Sequence, residues 1–161
     1  MIAELHPMAS RIAEALKARG ETIAVADGAT GGLLSAALLT VPGALAFYVG
    51  GGVVYSFRAR DVLFGLEREA YKGLRSATEE YALLQARAIR DNFGAQWGLA
   101  ETGSAGSSVH PMGVASGISV AAVVGPSVEF VRRTETASDA RIDNMRAFTR
   151  AALGLLDEAL A

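Results

Sequence analysis

The run Val25-Ala26-Asp27-Gly28-Ala29-Thr30-Gly31-Gly32-Leu33-Leu34 concentrates more potential chemistry than any other part of this chain. An apolar strand breaks there at a short glycine-bearing turn and resumes as an apolar helix. Such a turn gathers unpaired backbone N–H groups and the positive end of a helix dipole, which can hold an anion or a developing negative charge. Small residues at a helix start also serve close helix–strand packing, and the two readings are compatible. Thr30 offers a hydroxyl as a surrogate nucleophile or, alternatively, as a helix N-cap. Further on, Tyr55 and Ser56 end a glycine-rich strand, and Arg60 carries a planar fork suited to a phosphate or to water. A third group, Glu101-Thr102-Gly103-Ser104-Ala105-Gly106, closes an apolar strand with a carboxylate. Glu101 must reach water or a cation such as Arg60 or Arg141. With Asp27 it could also form a carboxylate pair that activates a water.

Recognisable elements position these groups. Met8, Ile12, Ala15 and Leu16 repeat at helical spacing before Gly20. A strand over 22–26 and a helix from Leu33 to Leu38 follow, stopping before Val41-Pro42-Gly43. The segment 46–55 is strand-like but holds Gly50-Gly51-Gly52, so another backbone or a ligand must come close. Helices are predicted over 58–66 and 78–92, the latter capped by Thr78, and a strand over 96–102. A glycine- and serine-rich loop spans 103–117, where His110 is expected exposed. A hairpin over 117–124 and 128–134 turns at Gly125-Pro126, and a long helix runs over 139–160. The three polar segments at 27–32, 55–60 and 102–106 all lie at strand ends, where ligands of α/β sheets gather, so one shared cleft is expected. The pattern predicts a single three-layer α/β/α domain over residues 1–161 with a mixed sheet.

Composition narrows the partners. Half the 161 residues are apolar (51%), 20% are charged and the net charge is −2, with no basic stripe, so nucleic acid is a poor partner. The absence of cysteine excludes thiolate catalysis and disulfides, and His6 and His110 lie far apart, so neither a metal site nor a cofactor is expected. No apolar run reaches membrane-spanning length and the N-terminus has no signal-peptide pattern, which predicts a cytoplasmic protein without membrane contact. Trp97, Phe47 and Tyr48 read as core or subunit contact. The stretch 47–55 and the last helix offer more apolar surface than a small monomer needs, so a homo-oligomer is expected.

Three segments together resemble the CinA C-terminal domain family, whose characterised members deamidate nicotinamide mononucleotide (NMN). Ala26-Asp27-Gly28-Ala29-Thr30-Gly31-Gly32 is similar to the family's A-E-S-x-T-G-G. Val41-Pro42-Gly43 with Gly50-Gly51-Gly52-Val53-Val54-Tyr55-Ser56 is similar to V-P-G-(aromatic)-G-G-V-x-Y-S. Glu101-Thr102-Gly103-Ser104-Ala105-Gly106, with Gly117 beyond, is similar to V-T-G-x-A-G-P and a later V-G. The resemblance implies a C–N hydrolase fold, a pyridine nucleotide or similar anion as ligand, and no cofactor. It implies ligand contacts at Asp27, Gly28, Ala29, Gly31, Gly32, Ser56, Thr102, Gly103, Ser104, Ala105, Gly106 and Arg141. Larger relatives add an N-terminal domain for which these 161 residues leave no room.

The departures fall on the chemistry. The family's proposed nucleophile is the serine of the first motif, aided by a tyrosine and a lysine; here those positions are Gly28, Tyr55 and Arg60. Glycine has no group to attack with, and arginine stays protonated. The remaining catalytic candidates are Thr30, Tyr55 and Arg60. Removing a nucleophile with its base costs orders of magnitude in rate, whereas backbone donors and ligand binding can survive. The sequence therefore predicts weak or lost deamidase activity, or a catalytically dead nucleotide-binding module or oligomeric partner. On this reading, Gly28→Ser with Arg60→Lys should restore the chemistry.

Overall fold

The computed structural model describes all 161 residues. In chain order the elements are α1 (Ile2–Arg19), β1 (Ile23–Asp27), α2 (Leu33–Leu39), β2 (Tyr48–Val53), α3 (Phe57–Phe64), α4 (Glu79–Asn92), β3 (Trp97–Ser104), β4 (Ile118–Val124), β5 (Glu129–Glu135) and α5 (Arg141–Leu160). Short 3-10 turns cover Ala44–Ala46 and Arg68–Tyr71. The five strands form one sheet in the order β2-β1-β3-β4-β5. β1 runs parallel to β2 and β3, while β3–β4 and β4–β5 are antiparallel, giving the expected mixed sheet.

Alternation along the strands sends side chains to two separate cores. Ile23, Val25, Leu99, Ala121 and Val123 pack against α1, α2 and α5, through Leu5, Ile12, Leu16, Leu34, Ala152, Leu153 and Leu156. Ala24, Ala26, Ala100, Val120 and Ala122 pack against α4 through Tyr81, Ala82, Ala86 and Ile89. Helices therefore cover both faces, which is the three-layer arrangement.

Two glycines set the spacing. A Cβ on Gly51 would lie 1.8 Å from the Val25 carbonyl oxygen, so β2 can approach β1 only without a side chain there. A Cβ on Gly98 would meet the Ala86 carbonyl at 2.1 Å, so α4 sits directly on β3.

Boundaries shift modestly from the sequence reading. α1 starts at Ile2 rather than near Met8 and runs through Pro7, which forfeits one intrahelical bond. Buried Leu5 holds that first turn against the core. α3 begins one residue early because Ser56 caps it, accepting the Ala59 N–H at 3.1 Å. β3 continues through Ser104, paired with Ile118 across the sheet, so the loop starts two residues later than predicted.

Candidate functional site

β1 delivers Asp27 to the start of α2, and the carboxylate is fully buried there. Its Oδ1 accepts the Thr30 hydroxyl at 2.7 Å and the Leu34 N–H at 2.9 Å. Its Oδ2 accepts the Ser35 hydroxyl at 2.9 Å and the Ser35 N–H at 3.2 Å. Four donors occupy both oxygens, so Asp27 anchors the first turn of α2 and has no capacity left for a ligand or a water. Thr30, likewise buried, spends its hydroxyl on Asp27.

Glu101 is the second buried carboxylate, 1% exposed near the end of β3. Its Oε1 accepts the Ser119 hydroxyl at 2.6 Å, and its Oε2 accepts the Thr30 N–H at 3.0 Å. Burial pushes its pKa up from 4.5 to about 7, against the pull of those two donors and with help from the Asp27 charge. It meets neither Arg60 nor Arg141. The anion cradle read from the sequence is thus filled from within: the N–H groups of Thr30, Leu34 and Ser35 serve the chain's own carboxylates.

Above Glu101 opens a cleft of about 310 Å³ at the carboxyl ends of β1 and β3. Gly28 and Ala29 form one wall, Tyr55, Ser56 and Phe57 another, and the strand end Glu101–Ala105 the floor. Tyr81 and Gln85 enter from α4, His110 and Pro111 from the long loop, and Arg141 from the start of α5. The three polar segments do converge. A Cβ on Gly28 would lie only 2.2 Å from the Glu101 carbonyl oxygen and 3.1 Å from its Oε2, so a side chain at position 28 requires a backbone shift.

Of the residues expected at the site, Gly28, Ala29, Tyr55, Ser56, Thr102, Gly103, Ser104, Ala105 and Arg141 line this cleft, and six others do not. Asp27 and Thr30 are consumed in the α2 anchor. Gly31 faces Met145, and Gly32 starts α2 with φ +100° beside Val53. Gly106 lies beneath Arg141, where a Cβ would come within 2.7 Å of the guanidinium. Arg60 does not line the cleft: its guanidinium lies behind the wall, 3.7 Å from the Tyr71 ring centroid and 4.9 Å from that of Phe57, with Asp61 at 3.4 Å. Arg141, by contrast, makes no ion pair, and its one hydrogen bond is to Ser108 Oγ at 3.5 Å.

Sequence reasoning missed Gln85, Tyr81, Phe57 and His110. Gln85 had a signal, since it stands on the apolar stripe Tyr81, Ala82, Ala86, Ile89 where a polar residue is out of place. His110 is half-buried, accepts the Met112 N–H at 3.0 Å, and has its pKa lowered by burial.

Residues 5–160 match the family described as the CinA C-terminal domain. A CinA-like protein of Chloroherpeton thalassium is 33% identical over 159 residues, covering 96% of this chain and 37% of its own length. A CinA-like protein of Myxococcus xanthus is 36% identical over 98 residues, 61% of this chain and 23% of its own. The chain thus spans well under half the length of these relatives. Among solved structures, a CinA superfamily protein from Klebsiella pneumoniae superposes with a TM-score of 0.87 at 27% identity, covering 97% of both chains. The competence or damage-inducible protein from Enterobacter asburiae gives 0.86 at 26% identity, covering 98% of both. With its motifs in order, its layers matched and nearly its whole length aligned, this chain belongs to the CinA C-terminal domain family.

Proposed function

We propose that this chain binds a small anionic ligand of the pyridine-nucleotide class in the cleft and has weak or no NMN deamidase activity. The observation that carries this reading is the state of position 28. Gly28 supplies no hydroxyl, and the direction its Cβ would take is filled by the Glu101 main chain. The surrogates are unsuited as well: Thr30 is buried on Asp27, and Arg60 is stacked on Tyr71. Arg141, unpaired at the cleft wall, remains as an anion contact. Incubation with NMN, followed by ammonia release and by the melting temperature, tests the reading. The expected result is a melting shift without ammonia. Robust ammonia release overturns the loss of activity, and the lack of both signals overturns ligand binding and leaves an oligomeric partner role.

One observation favours a second reading, residual hydrolysis by water. Glu101 reaches the cleft floor with a pKa near neutrality, which suits a general base. Water would add to the carboxamide carbon as its proton passes to Glu101, and the same proton would return to the departing amine as the C–N bond breaks. Ammonia release abolished by Glu101→Gln would select this route.

A further inference from the structure

Gln85 is 3% exposed as a residue, lines the cleft, and its amide has no hydrogen-bond partner in the protein. The fully buried side-chain atoms that lack a hydrogen bond are Glu4 Oε1 and the Tyr71 hydroxyl, so the Gln85 amide is not sealed in the core: its unused donors and acceptor open onto the cleft. Its oxygen accepts and its nitrogen donates side by side in one plane, so a matching partner must present an N–H next to an oxygen. Aromatic rings of Tyr55, Phe57 and Tyr81 border the same space and suit a flat ligand.

We propose that Gln85 reads the ligand of this cleft, pairing edge-on with a planar carboxamide or lactam and rejecting the corresponding carboxylate. This rests on the cleft being a ligand site. A carboxylate offers two acceptors and no donor, so it satisfies the Gln85 nitrogen but sets an oxygen against the Gln85 oxygen. Arg141 works in the opposite sense, because alone it favours the more negative molecule. A preference for the amide is therefore a signature of Gln85 and not of the overall charge.

The experiment compares NMN with nicotinic acid mononucleotide, which differ only in that amide edge, by calorimetric titration of the full chain. The wild type is expected to bind the amide about tenfold or more tightly than the acid. Gln85→Leu should erase this preference while the melting temperature of the free protein holds, since the amide makes no bond to the protein that the variant would lose. Gln85→Met, of similar length, provides the same test if leucine packs badly. Equal affinities in the wild type, or a preference that survives both variants, overturns the role of Gln85 and leaves the cleft as a ligand site. A free protein destabilised by both variants also overturns it, by making Gln85 structural. Binding of neither nucleotide to the wild type overturns the ligand reading and this inference with it.

Discussion

Glu101 makes stability depend on pH in an unusual direction. Its carboxyl titrates near 4.5 in the unfolded chain and at about 7 when folded, because burial disfavours the charge. Below pH 4.5 both states hold the proton and nothing is lost. Between pH 4.5 and 7 the unfolded chain releases it while the folded chain keeps it, so stability falls as pH rises. Above pH 7 the full penalty is present, roughly 3 kcal/mol from the difference between the two values. That is a large part of the stability of an ordinary domain, and it corresponds to a melting-temperature drop of roughly 6 to 12 °C.

Glu101→Gln isolates this effect. Its amide oxygen can accept the Thr30 N–H, and its nitrogen can donate to Ser119 once that hydroxyl turns round. Urea denaturation at pH 5, 6, 7 and 8 should show the wild type losing stability across the range and the variant holding nearly level. His110, whose pKa burial lowers, acts with the opposite sign in the same window, and the difference between the two proteins cancels it. Glu129 is held low by its bond to Arg87 and contributes only below the ordinary carboxylate range. Parallel curves for wild type and variant between pH 5 and 8 would refute the reasoning, since they would mean that Glu101 is ionised throughout.

Gly28→Ser is expected to destabilise the fold by about 1 to 3 kcal/mol, because its Cβ meets the Glu101 carbonyl. Alone or with Arg60→Lys it should add no ammonia release, contrary to the expectation from sequence; a double variant that deamidates NMN would sink this. Arg60→Ala should cost about 1 to 2 kcal/mol through lost stacking on Tyr71 and leave NMN affinity unchanged, and an affinity loss in titration would place Arg60 in the site after all. The outer edge of β2 bears no charge and exposes Val49 and Val53, whereas β5 carries Glu129, Arg132, Arg133 and Glu135. A second copy is expected to pair along β2, so light scattering should give a dimer that Val49→Lys dissociates; a wild-type monomer at micromolar concentration counts against it.

Most of the fold was legible because its determinants are local. Helical spacing in α1, α4 and α5, the turn at Gly125-Pro126, and glycines between strands and helices all act within a few residues. The convergence of three segments on one cleft was also legible, since each ends a strand at the same side of the sheet. What the sequence withheld was the allocation of hydrogen bonds. Glu101 accepts from Thr30 across 71 positions, and no local pattern announces that pairing. Nor does spacing decide whether Arg60 faces a ligand or lies on Tyr71, because the 3-10 turn that presents Tyr71 was not foreseen.

Two polar side chains single out the candidate site independently of any motif. A carboxylate that burial holds near neutrality and an amide with no partner in the protein both border the same cleft. They arrive from opposite sides of the sheet: Gln85 from α4, Glu101 from the face that carries α2 and α5. The fully buried atoms without a hydrogen bond lie outside the cleft: Glu4 Oε1, which has Arg146 as its ion partner, and the Tyr71 hydroxyl, whose ring carries the stacked guanidinium of Arg60. Asp27 shows what a purely structural acid looks like here, with every lone pair directed at α2. Glu101 and Gln85 lack that completeness. Their unfilled hydrogen-bonding capacity faces the cleft, which is where a ligand of the proposed class would complete it.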